Sequence, residues 1–316
     1  MNTDWQSYFT FLPLRFTFRA QEDFPVPAYL GAMLRGAFGY AFRREVCLTR
    51  KESCEGCILR QDCTYSRIFE TPLPPDATVM RKYNSIPRPF VFSPPRGLGR
   101  SIHAGDQLDF GLTLFGSACG SLAYIILVLQ SVAQHGLGAK RGRCELEQVS
   151  LGDTLLFAPN QDLILPAPLS ARQYLEHSPC PTGPLHMHFL SPLRLKTAGK
   201  INHAPQFRDI YSTLLRRFSL LCTFHCGHSP DIPFKDMLTA AESVHLNSQL
   251  SWQAQQRYST RQHDSMSIGG LLGTASIEQL PPDLWPLLKL GTVLHIGKNA
   301  TFGLGEYALD TVQRQP

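Results

Sequence analysis

The sequence predicts an α+β protein of two tandem ferredoxin-like domains, and three observations carry the prediction. Each half opens with an alternating strand followed by an arginine-bearing helix. Each half closes with a helix, a glycine-rich loop and a strand, the order that ends a ferredoxin-like sandwich. Between the halves Pro166, Pro168, Pro179, Pro181 and Pro184 punctuate a polar stretch, which sets a boundary near 168–183. The 316 residues exceed most single cores and suit two domains, placed here at 1–167 and 168–316.

In the first half, Leu12, Leu14, Phe16 and Phe18 alternate with Arg15, Thr17 and Arg19, the period of a half-buried strand. A helix is expected from Pro27, a residue suited to a first helical turn. Its stripe is Leu30, Met33, Leu34, Ala37, Phe38, Ala41 and Phe42, and Arg35, Tyr40, Arg43 and Arg44 fall off it. Gly31, Gly36 and Gly39 each cost such a helix about 1 kcal/mol relative to alanine, which points to something packed close against it. A second strand carries Leu108, Phe110, Leu112 and Leu114. An apolar helix at 122–133, a basic loop at 136–143 and a strand at 144–149 follow. The second half repeats the plan with a strand at 186–195, a helix carrying Phe207, Ile210, Tyr211, Leu214, Leu215, Phe218, Leu221 and Cys222, and a short helix at 284–290.

The last helix runs into His295-Ile296-Gly297-Lys298-Asn299-Ala300-Thr301-Phe302-Gly303-Leu304-Gly305. Two readings stand for this loop. One is a tight turn between strands; the other is a phosphate cradle in which glycines bring backbone N–H groups against the ligand. It is not a Walker loop, because the lysine precedes most of the glycines.

Composition narrows the function classes. The hydrophobic fraction of 43% is ordinary for a globular chain. The run at 122–133 falls short of the roughly 18 residues that cross a bilayer, and the first residues lack a signal-peptide pattern. A cytoplasmic location and no membrane partner are expected. The net charge is +5, and the 30 basic residues divide into 22 Arg and 8 Lys. Arginine's planar fork suits phosphate and base contacts.

Nine cysteines in a cytosolic chain argue against a disulfide framework. Four of them, Cys47, Cys54, Cys57 and Cys63, fall within an insertion at about 47–65 that follows the first helix. A Cys-x2-Cys knuckle with two further thiolates suits a closed structural zinc site. A [4Fe–4S] cluster takes the same ligand set, and reduced unligated thiols are the third reading. Four thiolates leave no open position, so a catalytic zinc is not expected. Cys222, His225, Cys226 and His228 form a weaker cluster better explained by core packing.

Six segments in order carry a family resemblance: Leu34-Arg35-Gly36-Ala37-Phe38-Gly39, the four-cysteine cluster, Gly136-Leu137-Gly138, Phe189-Leu190-Ser191-Pro192-Leu193-Arg194-Leu195-Lys196, Arg257-Tyr258-Ser259-Thr260-Arg261-Gln262, and the loop 295–305. The set, spread over roughly 9–309, resembles the CRISPR-associated RAMP-superfamily endoribonucleases that process precursor crRNA, the Cas-six family. The resemblance implies RRM-like domains with the C-terminal glycine loop facing RNA. It implies cleavage of CRISPR repeat RNA without a catalytic metal: the ribose 2′-OH attacks the adjacent phosphate and leaves a 2′,3′-cyclic phosphate and a 5′-OH. Its partners would be repeat RNA or crRNA, together with subunits of a CRISPR effector complex, and no DNA.

Several members of that family carry a catalytic histidine on the first helix, and 27–46 contains none here. His295, beside Lys298, is the first choice for chemistry, with Tyr40 as the polar option on the helix. His263 is a weaker candidate, and His186 and His188 suit structural roles. RNA contacts are expected from Arg35, Arg43, Arg257, Tyr258 and Arg261, and from Gly297, Thr301, Phe302, Gly303 and Gly305. The alternative is a RAMP-type subunit that binds crRNA or repeat RNA without cutting it.

Overall fold

The computed structural model describes residues 4–77, 79–80, 86–97, 101–254, 256–259 and 264–311, with the backbone alone at 256–259 and 264–267. Contacts divide the chain into two units. One comprises Thr10–Pro168 with Thr223–Gly227; the other comprises Met1–Phe9, Leu169–Cys222 and His228–Pro316.

The Thr10–Pro168 unit contains β1 (Thr10–Ala20), α1 (Gly31–Val46), β2 (Phe90–Ser93), β3 (Gln107–Phe115), α2 (Leu122–His135), β4 (Cys144–Leu151) and β5 (Thr154–Phe157). The strands pair antiparallel in the order β2-β3-β1-β4-β5. The first four, with the two helices, make the β-α-β-β-α-β sandwich, and β5 extends it. Alternation on β1 has the expected result: Leu12, Leu14, Phe16 and Phe18 enter the core, where Phe16 stacks on its cross-strand partner Phe110 at 5.6 Å. On the other face Arg15 pairs with Asp109 at 2.7 Å and Arg19 with Glu147 at 2.5 Å, so both arginines are matched to carboxylates of neighbouring strands.

Helix α1 begins at Gly31 rather than Pro27, and its first ladder bond runs from the Leu34 N–H to the Leu30 carbonyl. Close packing is found at Gly39, where a Cβ would lie 2.1 Å from the Phe69 ring, and not at Gly36, which is exposed. Helix α2 continues a 3-10 turn at Gly116–Ser121. Together they make 20 residues of mean hydropathy 1.6, long and apolar enough by composition to cross a bilayer. This is longer than the apolar run the sequence suggests. Leu122, Ile125, Val128, Leu129 and Val132 on it are buried in the core of this unit.

The second unit contains β6 (Leu185–Leu193), α3 (Phe207–His225) as far as Cys222, β7 (Leu246–Gln253), β8 (Gln256–Ser259), β9 (Asp264–Ser267), β10 (Gly270–Ile277), α4 (Trp285–Leu294) and β11 (Tyr307–Thr311). The main sheet runs β7-β10-β6-β11, again antiparallel and again the ferredoxin-like order, while β8 and β9 form a separate hairpin. Phe207, Ile210, Tyr211, Leu214, Phe218 and Leu221 of α3 are buried as the stripe predicts. Tyr307 on β11 donates its hydroxyl to the Leu288 carbonyl of α4.

Candidate functional site

The glycine-rich loop leaves α4 at His295 and returns to the sheet at Tyr307. Its backbone is committed to the protein. The Ile296 N–H donates to Gly305, Lys298 to Arg194, Phe302 to Asn299, Gly303 to Ala300 and Gly305 to Pro192, while Glu306 donates to the Ser191 hydroxyl. The expectation of a cradle of free amides is therefore corrected at these positions. Gly305 serves close packing: its φ is 72° and a Cβ would meet the Ile296 carbonyl oxygen at 1.8 Å. Gly303 and Gly305 are buried, and so is Phe302 at 7% exposure, which removes Phe302 as a stacking platform for a base. Thr301 and Gly297 are half-buried. Lys298 is exposed and is the loop's cationic side chain.

His295 is 1% exposed. Its ring lies inside the unit and not beside a solvent-facing phosphate, which corrects the expectation that it leads the chemistry. It caps α4 with φ 57° and ψ 155°, a region that is almost the preserve of glycine and costs other residues about 1–3 kcal/mol. At the preceding residue, the Leu294 carbonyl accepts from Arg217 Nε at 2.8 Å, and burial pulls that guanidinium down to about 10.

On α1, Arg35 lies over the Phe69 ring at 4.5 Å and Arg43 donates to the Lys51 carbonyl, so both guanidinium groups have partners within the unit. Tyr40 is 72% exposed. One turn on, the Arg44 guanidinium lies 5.9 Å from its ring centroid. Arg44 is the hub of a network between α1 and α2 that the sequence reading did not find. Its Nη2 donates to Glu45 Oε1 at 2.8 Å and to the Ser131 hydroxyl, and Ser131 donates in turn to Glu45 Oε1 at 2.6 Å. The Ser131 hydroxyl first, and then the Arg44 guanidinium, hold the Glu45 carboxyl below the ordinary carboxylate range.

His135, the last residue of α2, is exposed, and its Nδ1 lies 2.9 Å from both Arg44 Nη2 and the Ser131 carbonyl. Glu45 Oε1 also receives Arg44 Nε at 2.9 Å, and Nη2 has Glu45, Ser131 and the imidazole within reach of its two hydrogens, whereas the Ser131 carbonyl can only accept. We therefore assign the proton to Nδ1, donating to the Ser131 carbonyl, which puts the imidazole lone pair on Nε2. The signal that could have found this residue is its position directly before Gly136-Leu137-Gly138, matching His295 before Ile296-Gly297. Lys140, Arg141 and Arg143 of the following loop are exposed.

Arg257 and Tyr258 lie on β8, opposite Met266 and Ser265 of β9. Arg261 and His263 lie outside the described residues. His188 contacts Asp310 of the adjacent strand at 3.2 Å. His225 pairs through Nε2 with the Pro87 carbonyl at 2.7 Å and Cys222 is fully buried, in line with core packing for that cluster.

Cys47, Cys54, Cys57 and Cys63 line one cavity of about 350 Å³. The Thr49 hydroxyl lies 3.8 Å from the Cys47 sulfur and 3.6 Å from that of Cys57. That hydroxyl contact draws Cys57 below its ordinary value, whereas burial pushes Cys54 up. Among the described residues no three His, Cys, Asp or Glu side chains stand in metal-holding geometry, so the formed four-thiolate site expected from the spacing is not observed. The donor set still fits a thiophilic metal: four thiols share one cavity, and two of them share a hydroxyl.

Comparisons with known proteins bear on both units. Residues 187–307 match the family model for the CRISPR-associated endoribonuclease Cas6, and residues 9–169 match AF_1859_N, an N-terminal domain. An uncharacterized protein of Archaeoglobus fulgidus is 25% identical over 308 residues, covering 92% of this chain and 96% of its own. Among solved structures, a partial Cas6-RT-Cas1–Cas2 complex aligns with a TM-score of 0.58 and 12% identity over 98% of this chain. The chain spans 47% of the length of that larger protein. A Cas6 product complex aligns with a TM-score of 0.57 and 16% identity, covering 95% of this chain and 100% of the other. Thermus thermophilus Cas6 gives a TM-score of 0.54 and 15% identity, covering 96% of this chain and 99% of its own. At these identities the structural likeness establishes the shared fold.

Proposed function

Because the chain belongs to the CRISPR-associated Cas6 endoribonuclease family, with an N-terminal domain of the AF_1859_N type, we propose that it cleaves CRISPR repeat RNA in precursor crRNA. The observation that carries this reading is the span of the Cas6 match: 187–307 runs from β6 to β11 and takes in α3, α4 and the glycine loop. The ribose 2′-OH loses its proton and attacks the adjacent phosphorus, and the bond from phosphorus to the 5′-oxygen breaks. That oxygen takes up a proton. The products are a 2′,3′-cyclic phosphate and a 5′-OH. The substrate supplies its own nucleophile, so the chemistry asks the protein for alignment, proton transfer and charge stabilisation rather than for a metal-bound hydroxide.

In this scheme Lys298 contacts a phosphate, and Tyr40 protonates the leaving 5′-oxygen. Arg257, Tyr258 and Arg261 contact the strand, with Tyr258 able to stack on a base. The direct test is incubation of the purified protein with a cognate repeat RNA, followed by analysis of the ends. Cleavage with cyclic-phosphate ends is expected, and cleavage of a substrate carrying 2′-deoxyribose at the scissile nucleotide would sink the mechanism. A second reading, a RAMP subunit that grips crRNA without cutting it, is favoured by the absence of histidine from α1 and the burial of His295. Tight binding with no cleavage of any cognate repeat would select it.

The cysteine insertion is proposed to hold one structural zinc through Cys47, Cys54, Cys57 and Cys63. The metal would close the insertion that follows α1 and take no part in cleavage. Element analysis of purified protein is expected to find about one zinc per chain. A brown, iron-containing preparation would select the [4Fe–4S] alternative instead.

A further inference from the structure

The residue that removes the 2′-OH proton has no candidate on α1, and His295 is buried. We propose that His135 is the general base of RNA cleavage, presented to the Tyr40–Arg44 face of α1 from the neighbouring helix α2. The proposal rests on the endoribonuclease reading above and names the residue it lacks. Its substrate class is the ribose 2′-OH and adjacent phosphodiester of a single RNA strand.

Three features distinguish this arrangement from an ordinary surface contact between helices. The first is the tautomer. With the Nδ1 proton donated to the Ser131 carbonyl at 2.9 Å, the lone pair lies on Nε2 of an exposed residue, where it can accept a proton. The second is the support for Arg44. Glu45 and the Ser131 hydroxyl both bind its Nη2, and Ser131 also binds Glu45, so the guanidinium next to the imidazole is fixed from two sides. A fixed guanidinium beside a base is suited to a phosphate whose charge grows in the transition state. The third is the approach. Tyr40 stands one helical turn away on α1, and the exposed Lys140 and Arg141 follow His135 in the loop, so the surroundings are cationic and attract a polyanion.

The step balances. Nε2 takes the 2′-OH proton, the 2′-oxygen bonds to phosphorus, the bond from phosphorus to the 5′-oxygen breaks, and Tyr40 protonates that oxygen. Histidinium and phenolate then return to their starting states by exchange with water.

The test is single-turnover cleavage of a cognate repeat RNA by the full-length protein and by H135A. H135A is expected to cleave about 100-fold more slowly or worse. Its affinity for the uncleavable 2′-deoxy RNA should stay within about twofold of wild type, as for a residue acting in the transition state. The acid limb of the rate–pH profile should disappear in H135A, and added imidazole should restore part of the rate. A purely structural histidine would produce neither effect. Wild-type cleavage with an unimpaired H135A overturns the role of His135 alone. No cleavage by wild type of any cognate repeat overturns the endoribonuclease reading, and this proposal with it.

Discussion

Two helix ends in this chain share one geometry and put opposite residues into it. At the end of α2 the capping residue is Gly136, with φ 86° and ψ 155°. At the end of α4 it is His295, with φ 57° and ψ 155°. Each cap donates its N–H four residues back, to Val132 and Gly291 respectively, at 3.0 Å. In the first junction the strained position falls to glycine, so the preceding histidine stays on the helix and points into solvent. In the second the histidine occupies the strained position itself and its ring is buried. Both junctions read as histidine then glycine loop, yet a shift of one residue decides whether the imidazole is available to a ligand or serves the interior.

The largest effects should come from the glycines that close the two loops. G136A would drive a Cβ to 2.0 Å from the Arg141 carbonyl, and G305A to 1.8 Å from that of Ile296. With positive φ added, each should lose roughly 2–4 kcal/mol in urea unfolding. A mild effect at one site only would break the claimed equivalence. Next come the histidines. H295A should cost about 2 kcal/mol through lost packing. H295G should be no less stable than H295A, because it relieves about 1–3 kcal/mol of backbone strain. H135A should stay within about 0.5 kcal/mol of wild type. Equal destabilisation by H135A and H295A would erase the contrast.

Smaller effects separate the loops by charge. K298A should weaken RNA binding and lower the slope of log affinity against log salt by about 0.7, the share of one phosphate contact on single strands. An unchanged slope would take Lys298 off the backbone. E45Q probes the network beside His135. The Glu45 carboxyl sits below its ordinary 4.5 in the folded state, so its stabilisation is present above that pH and is lost as pH falls. The melting-temperature gap between wild type and E45Q should therefore narrow below about pH 4.5, and a constant gap would show that the carboxylate contributes nothing through its charge.

Much of the fold was legible because its inner strands and helices carry strong periods. Leu12 to Phe18 alternate cleanly since one face meets the core, and the stripe from Phe207 to Cys222 is continuous since α3 lies on its sheet. Strands β7 and β10 were not legible. Leu-Asn-Ser-Gln-Leu-Ser-Trp-Gln of β7 is an edge segment exposed at most positions, and Gly-Leu-Leu-Gly-Thr-Ala-Ser-Ile of β10 has small residues where alternation would show. The site was harder still. Residue types and order pointed to the loop 295–305, but sequence does not say which amides are already bonded or which rings are buried. His135 escaped notice because its partners, Arg44, Glu45 and Ser131, come from other parts of the helices, and only packing of α1 on α2 brings them together.

The Ser191 side chain has a kinetic consequence. Its hydroxyl donates to the Gly303 carbonyl at 2.6 Å and accepts from the Glu306 N–H at 2.9 Å, and so latches the closing turn of the loop to β6. A loop held in shape before RNA arrives has little ordering entropy left to lose on contact. Encounter with RNA should then follow charge attraction alone, fast at low salt and slower as salt rises, with no lag while the loop organises. In S191A that turn would have to settle during each encounter, and the delay would appear in the association rate before it appeared in the final affinity.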